Sequence, residues 1–160
     1  MSGAGGPTEQ LVPNGSGLRV AIVAGSWHED VMSGLISGAL ALCAQAGVGI
    51  DVVRVPGAFE LPVVSAAYAK THDAVIALGV VIRGGTPHFE FVANAATDGL
   101  TRVALDSGKP VGFGLLTCDD QAQALDRAGL PGSSEDKGRE AAHAAITTAI
   151  LLRAASAGSV

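Results

Sequence analysis

Nine consecutive residues, Ala74-Val75-Ile76-Ala77-Leu78-Gly79-Val80-Val81-Ile82, carry no polar side chain. The run is too short to cross a membrane as a helix and is rich in β-branched residues. It fits a strand covered on both faces, the pattern of a parallel α/β sheet. Arg83, Gly84, Gly85, Thr86, Pro87 and His88 follow, and a helix-compatible sequence then resumes at Phe89. Polar chemistry therefore falls at the carboxyl end of a buried strand. Open α/β sheets bind ligands there, and a helix N-terminus favours anions. The residues alone leave two readings: a simple glycine turn with His88 near a helix cap, or a functional loop.

The other segments agree with such a sheet. Leu18–Ala24 is predicted as the first strand, ended by Gly25-Ser26-Trp27-His28. Trp27 either plugs the core or stacks on a flat heterocycle at the sheet edge. Val31–Ala46 has helical spacing, with Gly47 as its C-cap; Gly34 and Gly38 predict close packing. Ile50–Val55 is a second strand stopped by Pro56-Gly57. Pro62 suits the first turn of a short helix through Lys70. Glu60, just before it, is either a cap or an acceptor for substrate hydroxyls. After the 74–82 strand come a helix over 88–105 and a fourth strand over 111–117. Asp119 or Asp120 caps a helix holding Ala122, Leu125 and Ala128. A linker over 129–134 leads to a long helix from Glu135 to Ala155. Residues 1–17, rich in glycine and proline, form a flexible tail, and 18–157 form one domain. The succession predicts a three-layer α/β/α sandwich with a four-stranded, mainly parallel, flavodoxin-like sheet.

Composition narrows the function. A chain of 160 residues with 48% hydrophobic and 16% charged residues builds a sizeable core but has little charge for a monomer's surface. Burial against partner subunits is expected. The net charge of −5 with scattered cations gives no nucleic-acid footprint. No membrane contact is expected, and a cytoplasmic location follows. Cys43 and Cys118 read as buried apolar side chains. His28, His72, His88 and His143 lack ligand spacing, so no metal is expected. His72 is placed in a surface turn and His143 on a helix, both with structural roles. The dinucleotide, Walker and nucleophile-elbow motifs are missing from the sequence. Gly84, Gly85 and Thr86 are candidates for a phosphate cradle, and His88 for proton transfer. Trp27, Phe59 and Phe113 could clasp a ring, and Arg127 and Lys137 could supply cations. The residues by themselves point to an α/β enzyme with a phosphorylated, partly aromatic ligand set.

Several stretches carry a resemblance: Gly-Ala-Phe-Glu-Leu-Pro at 57–62, Ala-Leu-Gly-Val-Val-Ile-Arg-Gly-Gly-Thr-Pro-His-Phe at 77–89 and Phe-Gly-Leu-Leu-Thr at 113–117. Gln-Ala-Leu-Asp-Arg-Ala-Gly at 123–129 and Lys-Gly at 137–138 extend it. From about Leu18 to Leu152 the chain resembles the 6,7-dimethyl-8-ribityllumazine synthases of riboflavin biosynthesis, and it is similar to their actinobacterial members in its Ser-Trp-His. The resemblance implies condensation of 5-amino-6-(D-ribitylamino)uracil with 3,4-dihydroxy-2-butanone 4-phosphate, with no cofactor. It implies that Trp27 stacks on the pyrimidine, and that Ala58, Phe59 and Glu60 hold the ribityl chain. Val80, Val81 and Ile82 would offer main-chain groups to the heterocycle. Gly84, Gly85 and Thr86 would cradle the phosphate with Arg127 of an adjacent subunit, and His88 would transfer protons. Phe113 and Lys137 would also come from the neighbour. A homo-pentamer with shared sites is implied; the length of the 130–136 linker favours it over an icosahedral 60-mer. Phe91, Cys118 and Ala122 stand where the family often has tyrosine, threonine and glutamate. None of the three removes a proposed chemical group. A lumazine- or flavin-binding paralogue without catalysis, or a structural shell protein, are the alternative readings.

Overall fold

Strands β1 (Arg19–Gly25), β2 (Gly49–Val55), β3 (Ala74–Ile82) and β4 (Val111–Cys118) form one sheet in the order β2-β1-β3-β4. Every neighbouring pair is parallel. The computed structural model describes residues 11–158, so residues 1–10 of the expected tail lie outside the described residues. Five helices cover the sheet: α1 (Glu29–Ala46), α2 (Leu61–Ala69), α3 (His88–Ser107), α4 (Gln121–Leu125) and α5 (Lys137–Ser156).

Alternation along the strands decides which layer each side chain joins. Val20, Ile22, Ile76 and Leu78 pack with Leu35, Leu42 and Ile146 of α1 and α5. Ala21, Val23, Val75 and Ala77 pack with Leu61 of α2 and Ala96 and Leu100 of α3. The predicted sandwich is therefore present, and β3 runs over the predicted residues because a strand buried on both faces needs apolar residues throughout.

The α1–α5 side is held by backbone approach. A Cβ on Gly34 or Gly138 would overlap the carbonyl oxygens of Ala128 and Leu35, respectively. One on Gly38 would meet the Asp136 carboxylate. The predicted packing role of Gly34 and Gly38 is thus realised, and Gly47 ends α1 in the left-handed region with φ 70°.

Three expectations are corrected. Helix α4 stops at Leu125, short of Ala128, and α5 starts at Lys137 instead of Glu135. The chain between them pairs with itself: Gly129 N–H donates to Glu135 O (3.0 Å) and Glu135 N–H to Asp126 O (3.1 Å). Asp136 then caps α5 by accepting from Arg139 N–H at 2.9 Å. His72 is buried, not at the surface. Its Nε2 donates to Asp51 Oδ2 at 2.8 Å, and its Nδ1 lies 3.1 Å from the Tyr68 carbonyl oxygen. Arg19 also donates to Asp51, at 2.9 Å. His143 does lie on α5, and its Nε2 donates to Leu11 O at 3.1 Å.

Asp51 thus ties the edge strand β2 to β1 and to the turn before β3. Hydrogen bonds from His72 and Arg19 hold its carboxyl below the ordinary carboxylate value. A depressed folded-state pKa adds stability that is present above the unfolded value of about 4 and fades as pH falls through the folded value. Asp51→Asn is expected to lower the thermal midpoint at pH 7. The difference from the native protein closes as the pH is taken below that range, which melting curves across pH would follow.

Candidate active site

Parallel strands bring their carboxyl ends to one edge, and each end delivers one part of a cleft. After β1 the chain turns through Ser26, whose hydroxyl donates to Val55 O at 2.8 Å and so pins this turn to the end of β2. Trp27 follows, and then His28 with φ 58° and ψ 64°. His28 is the one non-glycine residue with positive φ among the described residues. Such a conformation costs on the order of 1–3 kcal/mol. The His28 carbonyl oxygen accepts from Met32 N–H at 3.0 Å, which ties it to the first turn of α1, and the adjacent Glu29 pairs with Arg54 at 2.7 Å. Glu29 sits below the ordinary carboxylate value because Arg54 donates to it.

After β2, Pro56-Gly57 leads into a single 3-10 turn, Ala58–Glu60, which runs directly into α2. Gly57 leaves room between two side chains: a Cβ there would lie 3.4 Å from Glu60 Oε2 and 3.6 Å from Trp27 Cδ1. Glu60 and the indole therefore flank the same backbone. Val80, Val81 and Ile82 close β3, and His88 opens α3. Together with Trp27, Ala58, Phe59 and Glu60 they line one cleft of about 690 Å³. Trp27 is 69% exposed and Phe59 63% exposed, so the core-plug reading of Trp27 is set aside. A pair of aromatic walls left in solvent suits a flat ring.

His28, Phe91 and Val92 also line this cleft, and sequence reasoning had not assigned them to it. Phe91 lies three residues after His88 on α3, so helical spacing from the predicted histidine could have found it. His28 carried the weaker signal of adjacency to Trp27.

The loop beyond β3 is open. A Cβ on Gly84 or Gly85 would meet nothing within 4 Å, and Thr86 is exposed. Arg83 holds its root. The Arg83 Nε donates to Asp119 Oδ1 at 2.9 Å, its Nη1 donates to Glu90 Oε1, and the guanidinium lies 4.2 Å above the Phe89 ring. Those two carboxylates raise the Arg83 pKa further.

Phe113, Arg127 and Lys137 do not line the cleft of their own chain. Phe113 stands half-exposed on the edge strand β4. Arg127 Nη1 donates to Gln123 O at 2.9 Å. Lys137 is 14% exposed and bridges Glu135 and Glu140. Burial disfavours its ammonium, but hydrogen bonds to the two glutamates outweigh that and leave its pKa above the ordinary lysine value. One chain thus assembles the aromatic cleft, Glu60, the loop and His88, and leaves the three remaining predicted residues elsewhere.

An aromatic cleft beside a histidine and an open glycine loop, at the carboxyl edge of a parallel sheet, defines the class: an α/β enzyme acting on small molecules. Residues 17–153 match the family model of 6,7-dimethyl-8-ribityllumazine synthase. Proteins described as 6,7-dimethyl-8-ribityllumazine synthase match nearly end to end. The one from Leifsonia xyli subsp. xyli is 66% identical over 155 residues, covering 96% of this chain and 98% of the relative. That of Clavibacter michiganensis subsp. michiganensis is 61% identical, covering 96% and 97%. That of Frankia casuarinae is 59% identical, covering 96% of each. The chain belongs to the 6,7-dimethyl-8-ribityllumazine synthase family and is an enzyme of it, as the sequence resemblance implied.

Proposed function

We propose that the chain condenses 5-amino-6-(D-ribitylamino)uracil with 3,4-dihydroxy-2-butanone 4-phosphate to 6,7-dimethyl-8-ribityllumazine, releasing phosphate and two waters. The observation that carries this reading is the convergence of Trp27, Phe59, Glu60 and His88 around the carboxyl end of β3. The pyrimidine stacks on Trp27, its ribityl hydroxyls donate to Glu60, and backbone groups of Val80–Ile82 and Ala58 meet its polar edge. Gly84, Gly85 and Thr86 receive the phosphate of the second substrate at the N-terminus of α3.

The chemistry needs positioning above all. The 5-amino group attacks the ketone and loses water to give an imine. His88 moves a proton from the adjacent carbon, phosphate leaves, and the resulting enol becomes a carbonyl. The ribitylamino nitrogen closes the second ring on that carbonyl with loss of the second water. Holding the two reactants together supplies much of the rate. No activated thiol is at hand for a covalent route: burial pushes Cys43 up to about 11 and raises Cys118 as well.

Arg127, Lys137 and Phe113 join the site from an adjacent subunit of a homo-pentamer. Support comes from their position outside their own chain's cleft and from the apolar surface on the α2–α3 side. There Val63 and Leu105 are 69% and 78% exposed, and a groove of about 570 Å³ runs between the two helices. Such a surface suits subunit contact. A cytoplasmic setting is consistent with the two free, buried thiols. Among the described residues no helix is long and apolar enough to cross a membrane.

Trp27 is the only tryptophan of the chain, so its emission reports the cleft directly. Titration with the ribitylaminouracil is expected to quench it saturably, and the butanone phosphate alone to leave it nearly unchanged. Absence of any quenching by the pyrimidine would refute the stacking assignment.

A further inference from the structure

We infer that Arg83 is a positioning residue for this reaction: it sets the course of the phosphate loop and keeps two carboxylates from facing the incoming anion. The inference rests on the reaction proposed above. Arg83 is the first residue after β3, and its own N–H donates to Cys118 O at 2.9 Å, extending the β3–β4 pairing by one step. Its side chain then reaches Asp119, just past β4, and Glu90, in the first turn of α3, and covers Phe89. One guanidinium joins the ends of two strands to the start of the helix. A Cβ built on Gly84 or Gly85 would meet nothing within 4 Å, so no packed side chain fixes the loop there, and its course depends on its two ends, both of which Arg83 ties down.

Stability is not what this arrangement supplies. Arg83, Glu90 and Asp119 have side chains 45%, 49% and 66% exposed, and ion pairs that open to solvent contribute roughly 0–1 kcal/mol each. What a planar fork fixes is geometry, and a lysine cannot reproduce a fork stacked on a ring. Charge is the second effect. A carboxylate in the first turn of a helix sits where the helix end also attracts an anion. The Arg83 hydrogen bond holds Glu90 ionised, below the ordinary carboxylate value, and neutralises it. Two carboxylates share this one guanidinium, so its charge is already offset within the protein. Removing it frees Glu90 and Asp119 beside the phosphate loop.

The test is the division of the kinetic effect between substrates. Arg83→Ala is expected to raise KM for the butanone phosphate roughly tenfold, about one charge-assisted contact's worth, and to leave KM for the pyrimidine within about twofold. Adding Glu90→Gln and Asp119→Asn to that variant recovers about threefold of the loss by removing the repulsion. A purely structural arginine gives no such recovery, because the neutral variants break the same bridges. Arg83→Lys, which keeps the charge, gives a smaller rise of about threefold and serves if Arg83→Ala does not fold. An unchanged KM for the phosphate substrate, equal changes in both KM values, or no recovery overturns the inference. If the native protein shows no turnover, the reaction reading fails separately. Calorimetric binding of inorganic phosphate to the native protein and Arg83→Ala then decides for Arg83: weaker binding by the variant supports its role, and equal binding refutes it.

Discussion

Gly138→Ala is expected to lower the thermal midpoint of the domain by roughly 6–12 °C, from a cost of about 3 kcal/mol. The second residue of α5 abuts the backbone of Leu35 in α1, and a Cβ at 138 would overlap the Leu35 carbonyl oxygen. Backbone cannot rotate aside as a flexible side chain can. The methyl group forces α1 and α5 apart, and with them the Gly34–Ala128 and Gly38–Asp136 approaches along the same seam. Against a total stability of about 5–15 kcal/mol such a loss is large. Gly84→Ala is the matched control for stability: its Cβ meets nothing and its φ is not in the left-handed region, so its melt shifts by no more than about 0.5 kcal/mol equivalent. Equal melting of Gly138→Ala and the native protein would contradict the close α1–α5 approach.

His88→Ala is expected to lower kcat about 100-fold while leaving KM for either substrate within about threefold. His88 begins α3, exposed, on the wall of the cleft. Alanine is an excellent helix former, so the helix itself loses nothing. The effect therefore falls on proton movement and not on the fold, and melting curves separate the two. Residual turnover remains because the cleft still holds both reactants together. Steady-state rates with one substrate varied at a time check the split. A variant with native kcat would assign the catalysis to proximity and take His88 out of the proton path.

Much of the cleft was legible in the sequence for one geometric reason. Trp27, Ala58–Glu60 and Val80–Ile82 each sit at or just beyond a strand end, and parallel strands deliver those ends to the same edge. The continuous apolar run of β3 identified the central strand and so placed the others around it. What could not be read was set by contacts far apart in sequence. Asp136 became the cap of α5 because the preceding residues pair back on 126–129, which no local helix propensity announces. His72 looked like a surface turn residue, yet its ring is buried against Asp51, 21 positions away. Arg83 carried no role readable from its neighbours in sequence, because its partners are Asp119, 36 positions away, and Glu90 on the next helix. The left-handed backbone of His28 follows from the tight passage between β1 and α1, where sequence alone would favour glycine or asparagine. Phe113, Arg127 and Lys137 lie outside their own chain's cleft, and periodicity within one chain carries no information about how copies meet.

The most direct test of the central claim is product formation by the assembled native protein supplied with both purified substrates, followed by the absorbance of the lumazine. The proposed condensation predicts lumazine appearing with multiple turnovers per subunit, one phosphate released per lumazine formed, and no added metal or cofactor. A correctly assembled protein that quenches its Trp27 emission with the pyrimidine yet forms no lumazine would contradict the claim and leave a binding protein on the same fold.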